Sequence, residues 1–171
     1  MYRSGTFSHG VHPPQHKDRT AGATIRRLPF SPLLVIPLSQ HIGAPAKAIV
    51  REGQEVVRGE PIAEAGGFVS VPMHAPATGI VERIADAPTP RGVMTKSIFL
   101  KPYPSAGQEI LYGAPQDIES MTSRQLINAV QATGVVGLGG AAFPTHVKLA
   151  VPDGKSVHTI IVNGCECEPY L

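Results

Sequence analysis

The stretch that decides the second half of the fold is Gly134-Val-Val-Gly-Leu-Gly-Gly-Ala-Ala-Phe-Pro-Thr-His-Val-Lys-Leu149. Four of its first seven residues are glycines, and Pro144 with Thr145 predicts a short helix that carries Lys148 one turn inside. Glycine permits positive φ angles and close approach of a ligand to the backbone. Free N–H groups at a helix start attract anions, and lysine adds a full positive charge. The stretch therefore predicts a loop that binds a phosphate group.

A second group of polar residues follows a short distance downstream. The run Val157-His-Thr-Ile-Ile-Val-Asn163 predicts a buried strand, and it leads into Gly-Cys-Glu-Cys-Glu168. Open α/β sheets place ligands at the carboxyl ends of such strands. Carboxylates and an amide are costly there unless a ligand or solvent satisfies them. For Glu166 and Glu168 a solvated turn remains the alternative.

The glycine loop is ambiguous by itself. Gly137, Gly139 and Ala142 satisfy the dinucleotide pattern G-x-G-x-x-A. However, the element predicted before the loop is a helix instead of a strand, and no acidic residue follows at the spacing of a ribose contact. A standard dinucleotide-binding fold is therefore not expected. A glycine-rich connection between two helices, without any ligand, is the alternative.

The element before the loop is predicted to be a capped helix. Thr122-Ser-Arg-Gln125 fits the capping-box pattern. Leu126, Ile127 and Val130 form an apolar stripe at helical spacing that we expect in the core. Gly134 predicts the end of the helix.

Residues 33–103 have the composition of short strands separated by turns. Gly53 and Gly59 mark turns around an alternating strand, and the region resembles the barrel-sandwich hybrid of lipoyl and biotinyl carrier domains. Carriers present a modifiable lysine at the tip of the hairpin between their halves. Residues 65–73 contain no lysine, so a swinging-arm carrier is excluded. Phe68 and Val69 could present an apolar tip to a partner or to the neighbouring domain, or pack into the local core.

Four motifs together resemble the C subunit of the Rnf (Rsx) electron transport complex. They are Gly10-Val-His-Pro-Pro-Gln-His-Lys17, Pro37-Leu-Ser-Gln-His-Ile-Gly-Ala-Pro45, Gly137–Lys148 and Asn163-Gly-Cys-Glu-Cys-Glu-Pro-Tyr170. The resemblance implies a mixed α+β fold: a barrel-sandwich hybrid followed by the start of an α/β FMN-binding domain similar to the NADH-binding subunit of complex I. It implies domains at 1–32 (irregular), 33–103 (barrel), 104–121 (connector) and 122–171 (FMN/NADH domain), of which we expect 33–103 to fold independently.

The resemblance also implies a flavin site without catalytic side chains, because the cofactor itself carries the hydride and electron chemistry. Phe143 would wall the pocket or simply pack. Glu166 and Glu168 would border flavin and nicotinamide. The residues implied to bind the cofactor are Gly137, Gly139, Gly140, Ala141, Phe143, Lys148, Asn163, Glu166 and Glu168. Two departures from the family pattern are Ala142, where glycine is usual, and Cys165, where alanine is usual.

The implied function is electron transfer between NADH and iron–sulfur centres or ferredoxin through FMN, with ion translocation by other, membrane subunits. Family members continue past Tyr170 into segments that bind two [4Fe–4S] clusters, so we expect this chain to be an amino-terminal fragment without cluster ligands. It would lie at the cytoplasmic face of the bacterial inner membrane. The alternatives are a related reductase subunit of the cobalamin or proline reductase type, or a docking module that binds no ligand.

Composition limits the other classes of function. The net charge of +2 does not favour nucleic acid, and the apolar runs are too short to span a membrane. Cys165 and Cys167 are too few for an iron–sulfur cluster, which takes four thiolates. His9, His12 and His16 would suit a metal only on a helix, which Pro13 and Pro14 prevent. No metal site is expected.

Overall fold

The computed structural model describes residues 14–89, 92–162, 164 and 168. Its backbone contacts divide the chain into two units. One unit comprises residues 29–156, and the other comprises residues 1–28 together with 157–171. The α helices and β strands found in the described residues all belong to the first unit.

Seven strands form the barrel, which agrees with the barrel-sandwich hybrid expected from the sequence. They are β1 (Leu34–Pro37), β2 (Lys47–Ala48), β3 (Glu55–Val56), β4 (Pro61–Glu64), β5 (Met73–His74), β6 (Gly79–Pro88) and β7 (Met94–Pro102). A four-stranded sheet has the order β1-β7-β6-β3, and a three-stranded sheet has the order β2-β4-β5. Every pairing in them is antiparallel.

Apolar side chains from both sheets meet in one core. Val81 of β6 with Ile98 and Leu100 of β7 belong to the same cluster as Ile62 of β4, and each of the four is at most 1% exposed. Because alternate residues of a strand point to one face, short strands suffice to fill this core. Complete burial of one aliphatic side chain contributes about 1.5–3 kcal/mol. The barrel therefore holds a core of its own.

Two turns and one hairpin shape the barrel surface. Gly53 (φ 78°) and Gly59 (φ 90°) flank β3, as the sequence predicts. Residues 65–72 connect β4 to β5 and are called the hairpin tip from here on. Phe68 at this tip is 63% exposed and Val69 is half-buried. The phenylalanine is thus presented on the surface of the barrel and not packed into its core.

The chain after the barrel is tied back to it by hydrogen bonds. The Arg58 guanidinium donates to the Gln108 carbonyl at 2.7 Å, and the Thr78 amide donates to the Gln108 side-chain oxygen at 2.9 Å. The Tyr103 hydroxyl donates to the Glu55 carboxylate at 2.6 Å, and this bond is the main cause that raises the pKa of Tyr103. The first residues of the predicted connector therefore lie on the barrel.

Helix α1 (Ser123–Ala132) forms where the capping pattern predicts it. The Thr122 side chain accepts from the Gln125 amide while the Gln125 side chain accepts from the Thr122 amide, and Gly134 takes φ 75° just beyond the helix. The prediction that the apolar stripe lies in the core is wrong, because α1 buries no residue. Leu126 is exposed, and Ile127 and Val130 are half-buried. The five-residue helix that packs on α1, α2 (Thr145–Leu149), is too short to cover the stripe.

The second unit is described for few residues. Residues 17–19 form one 3₁₀ turn, and the Lys17 ammonium donates to the Glu168 carbonyl at 3.4 Å. The buried strand expected at residues 157–163 is not observed in its described part: residues 157–162 are exposed and pair with no strand, with Ile161 90% exposed. Apolar β-branched residues favour a strand, but a strand needs a partner, and the described residues supply none.

Candidate functional site

The glycine-rich stretch forms a β-hairpin between the two helices. Strand β8 (Val136–Gly137) pairs antiparallel with β9 (Phe143–Pro144), and residues 138–142 form the loop between them, called the glycine loop from here on. Ala142 has φ 52°, in the left-handed region that favours glycine. Gly137 and Gly140 do not take positive φ. The positive φ that the sequence led us to expect of glycine is therefore taken by an alanine.

The amides of the glycine loop have no hydrogen-bond acceptor among the described residues. Among the described residues, no amide of residues 138–142 donates a hydrogen bond to backbone or side chain. Position 140 is also open, since a Cβ built there would meet no described atom within 4 Å. Consecutive free N–H groups on an exposed turn form a concave donor surface that suits an anion.

Lys148 extends over the base of this hairpin. It lies on α2 and is exposed, and a Cβ built on Gly137 would lie 2.5 Å from its Nζ. Any side chain at position 137 would therefore push the ammonium away. Glycine at 137 allows the lysine charge to lie against the hairpin backbone, so the two residues form one local arrangement.

The glycine loop faces a crevice of about 700 Å³ whose other wall is the barrel. Gly140, Ala141 and Ala142 line it from the loop side, and Val35 and Met94 are among the barrel residues opposite. Small-molecule sites usually measure about 300–1,000 Å³ and combine apolar walls with a few polar groups. Phe143 is half-buried in β9 and is not one of the lining residues.

One contact that sequence reasoning missed joins this hairpin to the barrel. The His146 ring on α2 is 1% exposed, and its Nε2 lies 2.7 Å from the carbonyl oxygen of Phe68 at the hairpin tip. The two rings meet edge to face, with centroids 5.7 Å apart and planes at 87°. The available signal was Phe68, which the sequence placed at an apolar tip that could face a partner or the neighbouring domain.

A second crevice of about 500 Å³ lies between the barrel and the end of α1. His41 and His74 line it together with Gly134 and Val136. Burial lowers the pKa of His74 below its usual value of 6.5, because a charged imidazole loses solvation there. His74 therefore binds a proton less readily in the folded state than in the unfolded state. The free energy of unfolding falls as the pH drops through 6.5 toward the pKa of His74 in the folded state.

The residues predicted downstream of the hairpin belong to the other unit. Asn163 and Glu166 lie outside the described residues, as do Cys165 and Cys167. Glu168 is exposed, and its backbone carbonyl accepts from Lys17. The expected meeting of residues 163–168 with the glycine loop thus stays a prediction. Within the described ranges no group of three or more His, Cys, Asp or Glu residues could hold a metal ion, and no helix is long and apolar enough to cross a bilayer.

Two family models match the sequence in consecutive segments. Residues 5–103 match the RnfC barrel sandwich hybrid domain, and residues 130–171 match the Nuo51 FMN-binding domain. The order of the two matches agrees with the fold class expected from the sequence, a barrel followed by the start of an FMN-binding domain.

Three curated proteins, each the C subunit of its complex, are similar over nearly the whole chain. The one from the Na⁺-translocating ferredoxin:NAD⁺ oxidoreductase complex of Acetobacterium woodii is 40% identical, over 99% of this chain and 38% of that protein. Its counterpart in the proton-translocating ferredoxin:NAD⁺ oxidoreductase complex of Clostridium ljungdahlii is 38% identical, over 97% and 36%. The third, from an ion-translocating oxidoreductase complex of Pseudomonas aeruginosa, is 38% identical, over 96% and 21%. The chain thus spans little more than a third of the first two relatives.

Proposed function

The chain belongs to the RnfC family, and from that premise we propose that it is part of a peripheral flavoprotein subunit of an ion-translocating oxidoreductase complex. Its role in this proposal is to hold FMN where NADH can reach it and to pass electrons toward iron–sulfur centres and ferredoxin or an equivalent carrier. Membrane subunits would couple the transfer to ion movement, with this subunit at the cytoplasmic face. The names of the relatives, ferredoxin:NAD⁺ oxidoreductases that translocate Na⁺ or protons, support this reading.

The observation that carries the proposal is the run of amides in residues 138–142 that bond to no described residue, beside the Lys148 ammonium. N–H donors together with a positive charge match a phosphate monoester, which offers several acceptor oxygens and negative charge. The match of residues 130–171 to an FMN-binding domain supports the same ligand.

The residues present fit FMN in three respects. Position 140 is open enough for an oxygen to approach the backbone. Lys148 adds a charge that Gly137 keeps against the hairpin. The crevice wall formed by Val35 and Met94 is apolar, as a flat aromatic ring system requires.

In this site the chain would bind and orient, and it would not exchange protons. The amides of Gly139, Gly140 and Ala141 with Lys148 would hold the phosphate, while Asn163, Glu166 and Glu168 would complete the pocket from the downstream segment. FMN, when bound, supplies hydride acceptance from NADH and release of electrons one at a time. The loop fixes the position of the ligand, because reacting groups must be held about 3–3.5 Å apart for transfer.

A docking module that binds no ligand is the second candidate. The glycine loop favours it in one respect, since Leu138 is 84% exposed at its start. An exposed apolar side chain beside solvated amides suits a protein partner as well as a ligand.

Lys148→Met in the full 171-residue chain tests the flavin site, with Lys155→Met as a matched control. Both lysines are exposed and both substitutions remove one charge, but Lys155 lies in a turn outside the hairpin. Titration with FMN and with riboflavin, followed by quenching of flavin fluorescence, gives the affinities. We expect the Kd for FMN to rise on the order of tenfold in Lys148→Met, because a hydrogen bond to a charged group is lost, and riboflavin binding to change little.

Absence of FMN quenching at millimolar flavin in the unchanged chain would contradict the proposal and favour the docking module. An equal loss in both lysine variants would show that net charge, and not the position of Lys148, governs binding.

A further inference from the structure

We propose that His146 is a positioning residue that anchors the glycine loop and Lys148 to the hairpin tip of the barrel, and that flavin affinity depends on this anchor. The inference rests on the proposed FMN site for its second half only. The anchoring itself is a property of the chain without ligand.

The hydrogen-bond chemistry of His146 defines what the residue contributes. Its Nε2 lies 2.7 Å from the Phe68 carbonyl oxygen, which can only accept, so Nε2 carries the hydrogen. In the neutral imidazole the other ring nitrogen, Nδ1, is then an acceptor. It is buried and has no partner among the described residues.

Because the unpaired Nδ1 is unfavourable, histidine at position 146 is explained by what its other ring nitrogen contributes. A buried acceptor without a donor is unfavourable, and an apolar residue of similar size would avoid that loss. What an apolar residue cannot provide is the N–H that the Phe68 carbonyl receives. The hydrogen bond from His146 to the Phe68 carbonyl is thus the contribution that distinguishes His146 from a packing residue.

The position of His146 links this bond to the candidate site. His146 is the second residue after β9, the strand that closes the glycine loop, and it precedes Lys148 by two residues on α2. A helix of five residues is not stable by itself. The direction of the lysine therefore depends on what holds α2, and the buried side chain on α2 is His146.

Residues that precede the glycine loop in the chain also contact the hairpin tip. Gln131 of α1 donates from Nε2 to the Ser70 carbonyl at 3.0 Å. Gly134 lies so close to the tip that a Cβ there would be 2.8 Å from the Pro72 carbonyl oxygen. Both helices that flank the glycine hairpin thus contact residues 68–72. Where a carrier domain presents a mobile lysine arm, this barrel presents an anchored tip.

The test uses four variants of the full chain. His146→Leu removes the donor, and His146→Gln keeps an N–H donor of similar reach. Gln131→Leu removes the second bond, and Asn128→Leu is its control on the exposed face of α1. Amide hydrogen exchange without ligand and FMN titration are measured for each.

We expect His146→Leu to speed exchange in residues 136–149 while exchange in β6 and β7 is unchanged, and to raise the Kd for FMN about fivefold, the loss of one hydrogen bond. His146→Gln should return within about twofold of the unchanged chain. Gln131→Leu should act in the same direction, and Asn128→Leu should have no effect.

Equal acceleration in the barrel and the hairpin would overturn the inference, because His146 would then be a general stability residue. Unchanged exchange in both His146→Leu and Gln131→Leu would overturn it as well, and so would failure of His146→Gln to rescue. If His146→Leu does not fold, Gln131→Leu carries the comparison. If the unchanged chain binds no FMN, the proposed function fails while the exchange data still decide whether the anchor exists.

Discussion

The barrel and the hairpin segment at residues 123–149 bury their side chains to very different degrees. In the barrel, Ile62, Val81, Ile98 and Leu100 are almost entirely removed from water. In residues 123–149, the buried residues are Pro144 and His146 alone. Pro144 ends β9, just before α2, and His146 on α2 contacts the barrel.

This difference indicates how stability and function are divided. Burial of apolar area is the main source of folding free energy, so we expect the barrel to fold on its own core. The hairpin segment has little core, and its loop amides have no acceptor in the part of the chain that the structure describes. We therefore expect its order to depend on the barrel, which His146 contacts.

The largest expected effect comes from the barrel core. Ile98→Ala should lower the free energy of unfolding by about 3 kcal/mol, because a fully buried aliphatic side chain is replaced by a cavity. Ile127→Ala on α1 is the matched control, since Ile127 is half-buried, and it should cost less than about 1 kcal/mol. Urea unfolding followed by circular dichroism measures both. Equal losses would mean that the hairpin segment has a core comparable to that of the barrel, and the division above would be wrong.

The next largest effect tests the contact between Gly134 and the hairpin tip of the barrel. Gly134→Ala places a methyl group in the left-handed region, at φ 75°, and 2.8 Å from the Pro72 carbonyl oxygen. Backbone strain costs roughly 1–2 kcal/mol, and the displaced tip should add to it, for a loss of about 2 kcal/mol in all.

Gly154→Ala separates the two causes of that loss. Gly154 has nearly the same angle, φ 73°, but no described atom lies within 4 Å of its Cβ position. It should show the strain alone. If the two variants lose equal stability in thermal melts, the close approach of Gly134 to the Pro72 carbonyl contributes nothing to the loss, and residue 134 does not pack tightly on the hairpin tip.

The local elements could be predicted from the sequence because each has a local cause. Thr122 and Gln125 stand at the capping-box spacing, and their reciprocal bonds form as expected. Gly53 and Gly59 take positive φ in the turns on either side of β3, and Gly134 does so just beyond α1. Short strands between such turns indicated a β region, whereas the barrel-sandwich fold was expected from the resemblance to carrier domains. For the cap, the turns and the strands the information lies within a few residues of the chain.

The long-range features could not be predicted in the same way. His146 and Phe68 are 78 residues apart, and no periodic pattern indicates that an imidazole will find a carbonyl at that distance along the chain. The run 157–162 has the composition of a strand, but strand formation depends on a partner, which composition does not reveal. The prediction that the apolar stripe of α1 lies in the core was wrong for the same reason, because burial depends on what covers a helix.

The smallest effect concerns Ala142, where the sequence departs from the family pattern. Its φ of 52° is strained for alanine, so Ala142→Gly should relieve strain but also raise the entropy of the unfolded chain. We expect a net gain of about 0.5 kcal/mol in urea unfolding. Ala141→Gly next to it, which has no positive φ, should lose about 0.5–1 kcal/mol. Opposite signs at adjacent positions would show that even the free glycine loop has one defined backbone conformation, whereas two losses would mean that Ala142 leaves this conformation in solution.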